Sequence, residues 1–310
     1  MAKKINIRPY EGETGFGKTI TNSGRLMHAD GRFNVERERL GFFDNLYFHL
    51  MTMPWWQFFG VMLVCFSLLN ALFAAIYCLI GIEHLNGVRP GHFLDNFLNA
   101  FFFSSQTLTT VGYGHVSPGN LPTSLVASLE SFAGLLAFAL VSGLLYGRFS
   151  RPKAKIVFSD NMLVAPYKDG RGLMFRMGNS RRSELIETEV QLILTLNQRT
   201  DTGTLERKYF ALPLEVAKIS FFSLSWTVVH ALDEKSPLFG FTHQDMLEAS
   251  AEVMVLVKSI EEANHQTVYA RRSYSAEEVV WNAKFKSIIG RNAKGVPFVV
   301  TSRIGAYEAL

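Results

Sequence analysis

Cysteine is nearly absent from this 310-residue chain, which has only Cys65 and Cys78. Both lie in one apolar stretch, 13 residues apart, or about 20 Å along the axis if that stretch is helical. They cannot bridge each other, so no disulfide framework holds the fold, and both thiols read as small buried hydrophobes. Charge is also scarce: 19% of residues are charged against 48% hydrophobic, and the net charge is +4. That excess is too small to argue for a nucleic-acid partner. His and Cys do not cluster at metal-ligand spacing. Neither a Walker-type loop nor a GxGxxG following a strand is present. A nucleotide-dependent enzyme and a bound cofactor are therefore not expected. Internal repeats and low-complexity tracts are missing too. The first residues, MAKKINIRPYEGETGFGK, are polar and lack a cleavable signal pattern.

What the chain does have is long apolar runs. Pro54 to Ile82 contains no charged residue, ample for a spanning helix of about 20 residues, and Trp55 and Trp56 stand at its start, where interfacial aromatics belong. Leu121 to Tyr146 carries one charge, Glu130, and is also long enough to span. The spans are expected at 55–82 and 121–147, inside a membrane region of residues 54–150. FFDNLYFHLMTM (42–53) has apolar positions at helical spacing. It reads as an amphipathic helix over 41–53 lying in the membrane interface, or else as the start of the first span. NFLNAFFFSSQT (96–107) is apolar but too short to cross and suits a re-entrant helix, expected at 95–107. Residues 1–40 are basic and poorly periodic, an irregular cytoplasmic segment. From about 155 the chain changes to short alternating runs such as VQLILTL and EVMVLVK, parted by turn signals such as KDGRG. That pattern predicts a β-sandwich over 151–310.

Charge placement orients the spans. The linker between them has a single Lys or Arg, Arg89, whereas Arg148, Arg151, Lys153 and Lys155 follow the second span and eight basic residues from Lys3 to Arg39 precede the first. The positive-inside rule puts both termini in the cytoplasm of a multi-pass protein of the plasma or inner membrane.

The re-entrant segment runs into TLTTVGYGHV (107–116). Gly112 and Gly114 suit neither a helix nor a strand. They do permit the positive φ that turns successive carbonyls the same way. Irregular backbone at membrane depth is tolerated only where protein buries it or water lines it. Thr110, Val111, Gly112, Tyr113 and Gly114 spell TVGYG, the known potassium-channel filter, whose carbonyl rings replace the ion's hydration shell. One chain contributes one strand of such a filter, so four chains about an axis are expected, a homotetramer with K+ held at Thr110, Val111, Gly112 and Tyr113.

The second span should then line the pore. Glu130, Gly134, Phe138, Ser142 and Tyr146 recur every four residues, one helical stripe with slow drift. Gly134 is a candidate hinge. Phe138, Ser142 and Tyr146 are the candidate gate, with the two aromatic rings able to exclude water unless they face lipid or the first helix. Glu130 is an ionisable residue inside a span. Two readings of it stand: it draws cations to the cavity, or it is hydrogen-bonded behind the filter. The run RFSRPKAK attracts anionic head groups through Arg148, Arg151 and Lys153, or only sets topology.

FRMGNSRRSELIETEV (175–190), FSLSWTVVHALDEKSPLFG (222–240) and ARRSYSAEEVVW (270–281) closely resemble the inward-rectifier potassium channels, most of all the prokaryotic branch. With the filter, the amphipathic helix and RFSRPK, the resemblance covers about residues 40–310. It implies an immunoglobulin-like cytoplasmic domain extending the pore, and a constriction loop near Ser259 to Gln266. It also implies a slide helix, and phosphoinositide contact at Arg148, Arg151 and Lys153. Glu187 matches a pore acid of the family. The glutamate and arginine that brace the filter in many eukaryotic members are replaced by Gln106 and, after Gly114, by His115 and Val116. The acid that binds polyamines in the second span is replaced by Phe138, and a second cytoplasmic acid by Lys258, so strong polyamine block is not expected. The rival reading is a non-conducting membrane sensor with a ligand-binding β-domain.

Overall fold

Residues 25–34, 46–150, 155–180, 184–199, 205–263, 265–291, 294–295 and 297–310 are described by the structure, a computed structural model of a single chain. The chain divides into two units: residues 38–151, and residues 1–37 together with 152–310.

The first unit is helical. Helix α1 (Leu46–Thr52) and helix α2 (Trp55–Ile80) are parted by Pro54. A proline disfavours helical geometry in the residue before it and brings no N–H to continue α1. The part of the expected interfacial helix before Leu46 lies outside the described residues. Helix α2 has 26 residues, and an 18-residue stretch of it has a mean hydropathy of 2.4, enough to cross about 30 Å of hydrocarbon. Its inward stripe is Asn70, Ala74 and Tyr77, all buried. Cys65 faces away from that stripe and is exposed on the single chain, while Cys78 is half-buried. The expectation of two buried thiols therefore does not hold for Cys65.

After α2, strand β1 (Leu85–Asn86) precedes helix α3 (Phe93–Leu108), and strand β2 (Ser117–Pro118) precedes helix α4 (Leu121–Phe149). Strands β1 and β2 pair antiparallel, Leu85 opposite Pro118. The two ends of the segment 87–116 thus meet, which makes it an excursion that enters as a helix and returns as irregular backbone. Helix α4 starts at a capping box. The Asn120 side chain accepts from the Thr123 N–H at 3.0 Å, and the Thr123 hydroxyl accepts from the Asn120 N–H at 3.2 Å. It runs unbroken for 29 residues, and an 18-residue stretch of it has a mean hydropathy of 1.9. Tyr77, Ile82, Leu85, Ala100 and Phe103 form a core around α3, where the Tyr77 and Phe103 rings meet edge to face at 5.1 Å.

The second unit is a β-sandwich. Its strands are β3 (Ile156–Phe158), β4 (Met162–Tyr167), β5 (Gly170–Asn179), β6 (Leu185–Arg199), β7 (Leu205–Leu212), β8 (Lys218–Phe222) and β9 (Ser225–Ala231). After helix α5 (His243–Glu248) come β10 (Glu252–Glu261), β11 (Gln266–Ser275) and β12 (Val279–Trp281). One sheet is ordered β11-β10-β6-β7 with β8 also on β6; the other is β12-β4-β5-β3 with β9 also on β5. In β6 the buried residues Val190, Leu192 and Leu194 alternate with the more exposed Gln191 and Ile193, the period of two that turns one face inward. Met162, Phe175 and Val228 of one sheet share a core with Leu194, Val255 and Val268 of the other. Two further ribbons, β13 (Ala283–Phe285) with β16 (Tyr307–Ala309) and β14 (Ile289–Arg291) with β15 (Pro297–Val299), close the chain.

Residues 25–34 form turns and bends without a helix or strand. Met27 and Phe33 bridge, and the segment packs on the sandwich through one buried carboxylate. Glu252 accepts from the N–H groups of Leu26 (2.8 Å) and Met27 (3.0 Å), from the Ser273 hydroxyl (2.6 Å) and from Arg207 (3.0 Å). Arg25 adds an ion pair to Glu278 at 2.8 Å. Those contacts come from residues hundreds of positions away, so no local pattern announces them.

Candidate selectivity filter and pore lining

Helix α3 ends at Leu108, and the chain then folds back on the helix's last turn. The Gln106 carbonyl accepts from the N–H of Val111 (3.0 Å) and of Gly112 (3.3 Å), and the Thr107 carbonyl from that of Thr110 (3.1 Å). The hydroxyls of Thr107 and Thr109 bond the carbonyls of Phe103 (2.9 Å) and Ser105 (2.6 Å). These bonds satisfy groups that a helix end leaves open. They also use the amides of Thr110, Val111 and Gly112 and leave the carbonyl oxygens: among the described residues, none donates a hydrogen bond to a carbonyl of Thr110 to Gly114.

Backbone handedness alternates along the same residues. Thr110, Gly112 and Gly114 take φ of 60°, 51° and 78°, whereas Val111 and Tyr113 do not have positive φ. Alternation of this kind points successive carbonyls to one side. Glycine adopts it freely; Thr110 is a β-branched residue held in a region that costs of order 1–3 kcal/mol. Val111 and Tyr113 are exposed on the single chain.

Behind the filter lies a closed polar network. Asn70, Ser104 and Glu130 are each 0% exposed, as is the Tyr77 residue that joins them. The Tyr77 hydroxyl donates to Glu130 Oε2 at 2.7 Å, and the Ser104 hydroxyl reaches Glu130 Oε1 and Asn70 Oδ1 at 2.9 Å. Asn70 Nδ2 donates to the Phe66 carbonyl at 2.8 Å. Four residues further along α4, a Cβ on Gly134 would overlap the Leu108 carbonyl oxygen.

The expected pore stripe therefore splits. Phe138, Ser142 and Tyr146 are exposed on α4, but Glu130 and Gly134 are buried inside the chain. A spacing of four residues advances about 40° beyond a full turn, so the stripe has swung well round by its lower end. Glu130 faces α2 and α3 rather than the exposed face, and Gly134 allows α4 to approach α3 within a continuous helix. Of the two readings of Glu130, hydrogen bonding behind the filter is the one that describes it.

The comparisons with known proteins agree with this geometry. Residues 156–305 match the inward rectifier potassium channel C-terminal domain family, and residues 55–150 match the ion channel family. The inward rectifier potassium channel Kirbac3.1 of Paramagnetospirillum magnetotacticum is 36% identical over 279 residues, covering 89% of this chain and 92% of that protein. This chain belongs to the inward rectifier potassium channel family. Similarity extends to the mouse G protein-activated inward rectifier potassium channel 3, 29% identical over 86% of this chain and 73% of that one. It also extends to the human inward rectifier potassium channel 18, 26% identical over 92% and 72%.

In this inward rectifier the junction residues behave differently from the sequence expectation. Arg148 turns into the protein. It donates through Nη1 to the Leu50 carbonyl and through Nη2 to that of Met53 at 2.7 Å, and it stacks on Trp55 and Phe58 at 4.5 and 4.6 Å. Those carbonyls are the open end of α1, so the guanidinium ties α1 to the end of α4 instead of pointing at a head group. Arg151 and Lys153 lie outside the described residues. Glu187 takes φ of 51° and sits at a bulge in the pairing of β6 with β10, where Ile186 faces Ile260 and Glu189 faces Lys258. That bulge aims its side chain at Lys218, with which it forms an exposed ion pair that raises the lysine's pKa. The expected constriction loop is shorter than 259–266, because β10 runs to Glu261 and β11 starts at Gln266.

Sequence reasoning missed Asn70, Tyr77 and Ser104. Their signal was faint: an amide and two hydroxyls in otherwise apolar segments, which a span retains at a cost.

Proposed function

We propose that this protein is a passive, potassium-selective channel in which four chains surround one pore. K+ is the permeant substrate, coordinated by the carbonyls of Thr110, Val111, Gly112 and Tyr113, with Gly114 completing the turn. The observation that carries this reading is the alternation of φ through the filter, with the amides tied back to α3 and the carbonyl oxygens left for a ligand. Stripped of water, K+ needs such oxygens to replace its hydration shell. Phe138, Ser142 and Tyr146 form the gate on α4, where apolar rings close the path by excluding water. Both termini and the β-sandwich lie in the cytoplasm, as the basic flanks imply. The working divisions are residues 1–40, the interfacial helix 41–53, the pore region 54–150 and the domain 151–310. Anionic lipid, including phosphoinositides, acts at Arg151 and Lys153, while Arg148 holds the interfacial helix to the end of α4. The non-conducting sensor gains no supporting observation.

Purified protein in liposomes with an internal potassium load should take up rubidium, and barium should block that uptake. Sodium uptake as fast as rubidium uptake, or none of either in the presence or absence of anionic lipid, would reject the reading.

A further inference from the structure

We propose that Glu130 is a positioning residue for ion selection, acting as a geometric brace on the pore helix and not as a charge for the ion. The inference rests on the channel reading above. Its first support is placement. Glu130 and Gly134 on α4 are four residues apart and meet Ser104 and Leu108, which are four apart on α3. Two contacts one turn apart define both the depth and the rotation of the end of α3. The second support is what hangs on that turn. Gln106 and Thr107, between the two contact points, hold the amides of Thr110, Val111 and Gly112. A shift of α3 therefore moves the filter carbonyls with it.

The third support is how completely the network is closed. Glu130 reaches α3 through Ser104 and α2 through Tyr77, and Ser104 reaches α2 again through Asn70. All four residues are fully buried on the chain. A buried network is rigid when every group has its partner and unstable when one is lost. Removing the carboxyl leaves the buried Tyr77 hydroxyl without its acceptor and unties α4 from Ser104, which keeps only Asn70.

Geometry and charge make opposite predictions here. Glutamine has the same length as glutamate. Its Oε1 accepts from Tyr77 and its Nε2 donates to Ser104, whose own proton then serves Asn70, so every contact survives without an ionisable group. Aspartate keeps the ionisable group but is one methylene short of Ser104. A positioning role is satisfied by glutamine and not by aspartate; a charge role is satisfied by aspartate and not by glutamine.

The test uses the full-length protein in liposomes and reads the ratio of rubidium to sodium uptake, with assembly followed by size-exclusion chromatography. Glu130→Gln should keep the ratio of the unsubstituted channel. Glu130→Ala and Glu130→Asp should lower it by about tenfold, the effect of one buried hydrogen-bonding group left unmet, with assembly retained. If Glu130→Ala does not assemble, Ser104→Ala and Tyr77→Phe, which each delete one hydroxyl, should lower the ratio in the same direction. An unchanged ratio in Glu130→Ala, or in both hydroxyl deletions, overturns the proposal. So does a Glu130→Gln channel as unselective as Glu130→Ala. A loss of selectivity in the unsubstituted protein would reject the channel reading itself, which keeps the two failures distinct.

Discussion

At the scale of single residues, burial decides what an ionisable group does. His230 in β9 is 1% exposed. Its Nδ1 faces the Pro213 carbonyl at 2.6 Å and its Nε2 the Ser236 hydroxyl at 2.8 Å, an arrangement met by the neutral ring with its proton on Nδ1. Desolvation holds its pKa below the usual 6.5, against a smaller opposing pull from the Pro213 carbonyl. The folded state thus binds this proton less readily than the unfolded chain does. As pH falls below about 6.5 the unfolded chain is protonated first, and stability drops by up to about 1.4 kcal/mol per unit until the folded ring titrates as well. Chemical unfolding of the full-length protein in detergent should therefore show a lower midpoint at mildly acidic pH than at neutral pH. His230→Asn, whose amide still reaches the Pro213 carbonyl, should flatten that difference. An equally steep pH dependence in the variant would assign the effect to other groups.

Among elements, the short interfacial helix is the one whose stability comes from outside itself. Helix α1 has seven residues, too few to hold together alone in water. Its terminal carbonyls are met by Arg148 from the far end of α4. Loss of charge-assisted bonds to a helix end costs of order 1–3 kcal/mol. In Arg148→Met, amide exchange across residues 46–53 should accelerate by about ten- to a hundredfold, while exchange in the β-sandwich stays as it was. Unaltered exchange at α1 would show that the membrane alone holds it. The same logic runs through α3, whose end is braced by α4 and whose last turn carries the filter.

For the whole molecule, closure is the governing requirement. One chain presents filter carbonyls, exposed aromatic rings on α4 that include Phe138 and Tyr146, and a span whose surface is mostly uncovered. Four copies about an axis are the closed arrangement that a carbonyl ring needs. The detergent-solubilised protein should have the mass of four chains of 34.9 kDa each, detergent subtracted. A monomer or dimer that still conducts would contradict the assembly.

Much of this was written in the sequence, because it depends on local composition and period. Charge-free runs of sufficient length define the spans, TTVGYG marks the candidate filter, and alternating apolar residues mark the sandwich, all without knowledge of distant contacts. Only the tertiary structure decided the rest, and the physical reason is the same each time. The partners of Glu130, of Arg148 and of Glu252 come from elements far away in the chain, so the environment of each charge exists only once the helices and sheets have packed. A spacing of four residues placed Glu130 and Gly134 on the pore stripe; helical drift and the close approach of α3 turned them inward. The sequence could show that a carboxyl group lay within a span, but packing made it a brace.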